Sequence, residues 1–365
     1  MVVIIKPTFH CNFRCDYCYL TNGVKVSTEI LDVPFAKHFI RQIMDEALSR
    51  HQKQLTLIWH GGEPLLWGVE NYRKIFEWIE QESEEFHVKQ NIQTNLSLMT
   101  EEYVQLFKRY NIHVGFSLDG TKDINDSQRK FPDGTGTFNI IMQKLALCRR
   151  YNLSIGCILV GSKRFIGRMG EVYDFLSANG LNFKFNPLFE AGEACNNQKS
   201  LSISPLEYAD MVIELFDLYY FDKEHRIKES NLIEIASNLM SGGHPSACMF
   251  GKNCQNHFMA ISPSGEVFPC GRFCETDTTY SYGNLHDKPF SDIIKSIQQS
   301  EIYKREEYIA KSGCSQCAYY HICHGGCLHD GFLNGGNFQT KTFLCSAYKR
   351  IFKHVELRLK ETIWK

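Results

Sequence analysis

The chain has 365 residues, with 40 Lys and Arg against 41 Asp and Glu and a formal charge of −1. That length permits a sizeable core, and the charge balance withholds the long-range pull that nucleic acid or an anionic membrane surface requires. At 43% hydrophobic and 22% charged residues the composition excludes a mainly disordered chain, and no apolar run approaches the ~18–20 residues of a membrane span.

Residues 1–5 are too short for a signal peptide and lead as a β-branched strand to Pro7, so a cytoplasmic protein with no nucleic-acid or membrane partner is expected. Further strands are predicted over residues 55–60, 88–94, 112–118, 153–160 and 182–188. Helices alternate with them. Tyr72, Ile75, Phe76 and Ile79 mark one helix face, and other helices are predicted to start near Asp32, Thr100, Phe138 and Gly167. Thr100 followed by Glu101 and Glu102 is a good start, because its hydroxyl caps and the acids suit the first-turn dipole. Alternating strands and helices indicate parallel β/α units of the α/β class. About six units fall short of the eight of a closed barrel, which points to an open, partial TIM-like barrel. In such folds chemistry gathers at the C-terminal ends of strands, where Cys11, Gly61–Glu63, Asn95 and Asp119 fall. A helix over residues 205–220 leaves the repeats. From about Ser241 the texture changes to cysteines, glycines and short strands, with a hairpin turning at Pro263-Ser264-Gly265. A last amphipathic helix carries Tyr348, Ile351, Phe352, Val355 and Leu359 on one face.

Fifteen cysteines without a secretion signal should stay reduced, and their grouping indicates metal. Cys11, Cys15 and Cys18 have the spacing CxxxCxxC directly after a strand. Three thiolates leave one position open on a cubane 4Fe–4S cluster, whereas structural zinc almost always takes four ligands. Cys314 and Cys317 form a CxxC pair followed by Cys323, Cys327 and Cys345, and Cys248, Cys254 and Cys270 precede or end the hairpin. CxxC pairs are as typical of zinc ribbons as of iron. Cys148 and Cys157 sit in apolar patterns as core thiols, Cys195 stands apart, and Cys274 is near enough to Cys270 to compete as a ligand.

With Tyr17 in the aromatic place beside the last cysteine, Cys11–Cys18 resembles the CxxxCxΦC signature of the radical SAM superfamily. The resemblance implies that Cys11, Cys15 and Cys18 bind a 4Fe–4S cluster whose fourth iron is chelated by S-adenosylmethionine. Gly61-Gly62-Glu63-Pro64 is similar to the family's GGEP segment, which implies glycines that allow close backbone approach and a Glu63 that accepts from the cofactor's ammonium. Further cofactor contacts implied are Ser117 or Asp119 at the ribose, Arg129 at the methionine carboxylate and Leu188 beside the adenine. The C-terminal cysteines resemble a SPASM domain, which implies two more 4Fe–4S clusters, one on Cys248, Cys254, Cys270 and Cys327 and the other on Cys314, Cys317, Cys323 and Cys345. Fully thiolate-ligated clusters have no vacant site and should carry electrons.

The domains implied are a radical SAM partial barrel over residues 1–215, a helical bridge over 216–240, a SPASM domain over 241–346 and a C-terminal helix over 347–365. The arrangement is most similar to anaerobic sulfatase-maturating enzymes and to maturases of ribosomally made peptides. It implies an oxidoreductase in which reductive cleavage of S-adenosylmethionine yields a 5′-deoxyadenosyl radical that takes hydrogen from a peptidyl carbon, with a flavodoxin or ferredoxin as reductant. In sulfatase maturases an aspartate follows the cysteine that ends the hairpin and is the candidate base, but here Gly271 and Arg272 follow Cys270. No catalytic base is assigned, Glu275 and Asp277 being off the matching position. The expected reaction is therefore an intramolecular carbon–carbon or thioether cross-link in a precursor peptide. Formylglycine formation on a Cys or Ser, oxidation of a small molecule, and a non-enzymatic metal-stabilised binding module are the alternatives. A precursor peptide or protein is the expected partner, with leader recognition, if it occurs, left to the barrel or SPASM surface.

Overall fold

The computed structural model describes residues 1–83, 86–224, 227–243, 248–275 and 277–363. Along the chain the strands and helices begin as β1 (Val2–Ile5), α1 (Val33–Ser49), β2 (Gln54–Trp59), α2 (Val69–Glu82), β3 (His87–Thr94), α3 (Glu101–Arg109) and β4 (His113–Ser117). They continue with α4 (Lys122–Gln128), α5 (Phe138–Arg150), β5 (Ile155–Gly161), α6 (Met169–Ala178) and β6 (Phe183–Pro187). After two single-turn helices (Glu193–Asn196 and Gln198–Leu201) come the longer α7 (Pro205–Phe221) and α8 (Ser230–Ser241), then the short strands β7 (Phe258–Ile261), β8 (Glu266–Phe268) and β9 (Gly283–Asn284). The chain ends with α9 (Phe290–Gln299), α10 (Arg305–Lys311), α11 (Leu328–Gly335) and α12 (Cys345–Ile363). Compactness divides it into two units built of interleaved segments. The first comprises Met1–Leu118, Arg129–Gly156 and Gln255–Tyr303; the second comprises Asp119–Gln128, Cys157–Cys254 and Lys304–Lys365.

In the first unit β1 to β4 pair in parallel, with Ile5 opposite Trp59, Trp59 opposite Ile92 and Thr94 opposite Phe116. The helices between them start where capping chemistry allows. Asp32 accepts from the Phe35 amide at 3.0 Å and Pro34 follows in the first turn, so α1 begins there. Thr100 caps α3 in the same way. Trp59 stacks on Trp67 at 5.3 Å and meets Tyr72 edge-on, and both indole N–H groups find acceptors, Gln90 and the Leu31 carbonyl.

The hairpin foreseen in the cysteine-rich part does not stand apart in this unit. Its first strand, β7, pairs in parallel with β1, Ile261 opposite Ile5, and β8 and β9 continue the sheet antiparallel. The free edge of β1 is thereby covered, which an otherwise exposed row of backbone donors and acceptors requires. Sequence spacing gives no sign of this pairing, because some 250 residues separate the two strands. The amphipathic helix α9, whose Phe290, Ile293, Ile294 and Ile297 are buried, is likewise additional to the elements read from the sequence.

In the second unit β5 pairs with β6, Cys157 opposite Phe183 and Gly161 opposite Pro187. The Ser204–Glu207 capping box starts α7, and α12 packs on α7 and α8. Tyr348, Ile351, Phe352 and Val355 are buried as expected, and Phe250 lies between Tyr348 and Phe352. Cys148, in α5 of the first unit, and Cys157 are buried, and Cys195 is exposed. Among the described residues no helix is long and apolar enough to cross a membrane.

Candidate radical and auxiliary cluster sites

The loop bearing Cys11, Cys15 and Cys18 leaves the end of β1 and is tied to its neighbours mainly by backbone. The Cys11 amide donates to the Lys25 carbonyl at 3.0 Å, the Arg14 amide to the Lys130 carbonyl at 2.7 Å, and the Arg14 guanidinium to the carbonyls of Cys11 and Phe13. After β2, Gly62 donates to the Thr8 carbonyl at 3.0 Å and Glu63 to the His10 carbonyl at 2.8 Å. The Gly61–Glu63 segment therefore packs its backbone on the residues just before Cys11. A Cβ on Gly61 would lie 2.3 Å from the Thr8 carbonyl oxygen, and one on Gly62 would lie 2.1 Å from that of Phe9. The close approach that the two glycines permit is to the chain's own cysteine loop.

Glu63 is fully buried. One carboxylate oxygen accepts from the Thr94 hydroxyl at 2.6 Å and the Leu65 amide at 3.0 Å, the other from the Asn95 amide at 2.7 Å. It thus fastens the end of β3 to the GGEP turn. Burial pushes its carboxyl up to about 7, against the opposing pull of those three donors. Asn95 next reaches the cysteine loop: its amide donates to Asn12 Oδ1 at 2.8 Å and lies 4.0 Å from Cys11 Sγ, while Asn12 donates to Ser97 Oγ at 2.9 Å. Asn12 and Ser97 carry no motif spacing, and only the adjacency of strand ends reveals them.

The weaker expected positions fall in both units. Tyr17 and Arg129, both in the first unit, come together, the guanidinium 5.1 Å from the ring centroid. Ser117 accepts from Gln93 Nε2 at 3.2 Å, and the same Gln93 amide fills the space that a side chain on Gly115 would take. In the second unit Asp119 is fully buried and its carboxylate is engaged by the Val160 amide at 3.0 Å and Gln128 Nε2 at 2.8 Å. Leu188 is buried, with its amide donating to the Gly161 carbonyl at 3.0 Å.

Cys314, Cys317, Cys323 and Cys345 line one cleft in the second unit, with Tyr319, Tyr348 and Phe352 among its walls. Burial and then the proximity of Cys345, Cys314 and Cys317 push the Cys323 thiol up to about 12. Cys254, half-buried, and Cys248, exposed, belong to this unit with Cys327, whereas Cys270 belongs to the first. Cys274 is fully buried in the first unit, and its carbonyl accepts from the ammonium of Lys6, itself fully buried. Lys6 also donates to the Tyr19 hydroxyl at 3.2 Å. Burial opposes the Lys6 charge, but Tyr19, Cys274 and Glu275 outweigh it and hold the ammonium on.

Family models agree with this arrangement. That of the radical SAM superfamily matches residues 5–176, and that of the SPASM iron–sulfur cluster-binding domain matches residues 248–318. The chain belongs to the radical SAM superfamily.

Relatives of this radical SAM/SPASM protein match well over half of its length. A cysteine-type anaerobic sulfatase-maturating enzyme of Clostridium novyi (strain NT) is 27% identical over 357 residues, 96% of this chain and 94% of that one. An uncharacterized protein of Methanothermobacter thermautotrophicus is 33% identical over 217 residues, 60% of this chain and 78% of that protein. The solved structure of native anSMEcpe with bound AdoMet and Cp18Cys peptide superposes with a TM-score of 0.84 at 21% identity, covering 99% of this chain and 98% of that one. The fold is a partial (β/α)6 barrel with a SPASM region, and the protein is a radical enzyme that uses 4Fe–4S clusters and S-adenosylmethionine.

The donor sets fit such groups. Cys11 is half-buried, and loss of water around its sulfur, followed by repulsion from Cys15, Glu63 and Cys18, pushes its thiol far up. A cationic iron–sulfur core relieves that repulsion. Cys314, Cys317, Cys323 and Cys345, gathered on one cleft, offer four thiols of the kind a closed cluster takes.

Proposed function

We propose that this enzyme oxidises a cysteine of a protein substrate to formylglycine, as a sulfatase maturase. The observation that carries this reading is the end-to-end match to a cysteine-type sulfatase-maturating enzyme, which leaves neither chain with a large unmatched part. In functional terms residues 1–215 hold the radical chemistry, 216–240 bridge, 241–346 hold the auxiliary clusters and 347–365 close the fold. Cys11, Cys15 and Cys18 would hold the first cluster, with Tyr17, Gly61, Gly62, Glu63, Ser117, Asp119, Arg129 and Leu188 around its nucleotide. Cys248, Cys254, Cys270 and Cys327, and Cys314, Cys317, Cys323 and Cys345, would hold the other two. When bound, the first cluster and S-adenosylmethionine supply the hydrogen-abstracting radical.

Conversion of a cysteine side chain and water to an aldehyde and hydrogen sulfide releases two electrons and two protons. One electron leaves with the abstracted hydrogen atom, and auxiliary clusters held by the C-terminal cysteines would supply an acceptor for the second. A base must take a proton, and Gly271 has no side chain to do so; a Cβ there would stand 3.2 Å from Ile4 Cδ1. Asp277 is committed to an exposed turn, accepting from the Thr279 amide and hydroxyl at 2.9 and 2.6 Å. Glu275 is the better acceptor. Burial raises its pKa, Lys6 lowers it in part and Asp277 raises it further, which moves the carboxyl toward the working range of a general base. A flavodoxin or ferredoxin of the cytoplasm would deliver the reducing electron.

The test is anaerobic incubation with S-adenosylmethionine, dithionite and a cysteine-containing sulfatase peptide, followed by an aldehyde-trapping hydrazide. Trapped product is expected, and E275Q should lower kcat for aldehyde by about 10²–10⁴-fold while unproductive 5′-deoxyadenosine still forms. The absence of a carboxylate at Gly271 favours a second reading, a cross-linking maturase of a precursor peptide. Loss of two hydrogens across a residue pair, with no aldehyde trapped, would decide for it.

A further inference from the structure

Arg305, at the first turn of α10, is 4% exposed and lies wholly inside the second unit. Nη1 donates to the carbonyls of Phe338 at 2.9 Å and Thr340 at 2.6 Å, and Nη2 to those of Gly325 at 3.4 Å and Gly326 at 3.3 Å. Gly325 and Gly326 lie between Cys323 and Cys327, and Phe338 and Thr340 lie on the segment leading to Cys345. One fork of donors therefore braces both cysteine-bearing stretches. The packing is close: a Cβ on Gly331, in α11 just after Cys327, would lie 3.0 Å from both Nη atoms. Burial disfavours the charge of Arg305, and Cys327, Cys254 and Cys314 oppose that loss ahead of Asp330. These three cysteines come from both expected auxiliary sets. These four acceptors are carbonyls, which satisfy the guanidinium's donors without cancelling its charge.

We propose that Arg305 is a positioning and electrostatic residue of the auxiliary iron–sulfur centres, bracing the loops of Cys323, Cys327 and Cys345 and raising the reduction potentials of both clusters with a fixed buried positive charge. The inference rests on the reading that these cysteines hold two 4Fe–4S clusters. A cluster with four thiolates is net anionic and gains a further negative charge on reduction. A nearby cation held in a low-dielectric interior favours the reduced form, and charge, hydrogen bonding and burial are the levers that set such potentials. A higher potential makes the auxiliary clusters better acceptors for the electron that leaves the substrate.

The test uses the full chain with Cys11, Cys15 and Cys18 changed to Ala, reconstituted anaerobically, so that only the auxiliary clusters contribute. Iron content and the midpoint potentials from an EPR-monitored dithionite titration are compared for Arg305, R305K and R305Q in that background. Removing the charge in R305Q should lower the equilibrium constant for reduction by about tenfold, which is 59 mV for a one-electron couple. R305K keeps the charge and should hold two clusters' worth of iron with potentials near those of the parent. Unchanged potentials in R305Q, or an equal fall in R305K and R305Q, overturn the assignment. Should R305Q fail to load iron, R305K decides alone: retained iron and potential support the charge, and a fall in either refutes it. A parent that binds no auxiliary iron would remove the cluster reading itself, an outcome distinct from iron that loads and ignores Arg305.

Discussion

An alanine at position 62 would set its Cβ 2.1 Å from the Phe9 carbonyl oxygen and 2.3 Å from that of His10. Backbone cannot swing aside as a flexible side chain can, so the cysteine loop itself would have to move. G62A is expected to cost about 1–3 kcal/mol of stability, read as a lower urea midpoint, and to lose iron from the first cluster while the auxiliary iron stays. Full first-cluster loading in G62A would show that the backbone packing is not what places the loop. At this scale the CxxxCxxC and GGEP residues were legible, because adjacent residues in one loop carry their spacing in the sequence. Asn12, Ser97 and Arg305 were not legible. Each acts through partners tens of residues away, Asn12 to Ser97 and Arg305 to Phe338 among them, and no local pattern encodes such a pair.

Periodicity placed the parallel strands to within one or two residues of where they stand and helices near Asp32, Thr100 and Phe138, and the Asp32 and Thr100 side chains do cap theirs. What it left out was the parallel pairing of β7 with β1. The glycine turn marks residues 259–262 as the first strand of a hairpin but carries nothing about its partner across the sheet. Ile261 is fully buried, and its position opposite Ile5 joins the hairpin to the sheet. I261A should therefore cost about 2–5 kcal/mol, the range for emptying a buried branched side chain, measured by urea unfolding. A cost near zero would mean that β7 does not anchor the hairpin. The short helices α10 and α11 were also unread, because seven or eight residues around glycines give too little period to detect.

Glu63 in the first unit and Glu229 in the second are buried carboxyls that burial pushes up to about 7. Burial pushes Glu229 up to about 7 against the pull of the Phe185 and Leu232 amides that donate to it. A folded-state value above the unfolded one means that the folded chain binds more protons between about pH 4.5 and 7. The stability each group contributes is complete below that window and is lost as the pH rises through it. The urea midpoint should therefore decline from pH 4.5 to pH 7, and E229Q should remove the Glu229 part of the slope. An E229Q variant with the full parental slope would place the proton uptake elsewhere.

By itself the sequence determined the β/α alternation, the radical SAM signature and the presence of a cysteine-rich SPASM region, all written in short-range spacing and periodicity. Only the tertiary structure decided that Gly61 and Gly62 cradle the cysteine loop, that Glu63 is a buried fastener, and that the late hairpin extends the sheet through β1. It also decided that four cysteines spread from Cys314 to Cys345 share one cleft. These are long-range contacts, selected by packing and hydrogen-bond satisfaction between segments that no sequence window contains together.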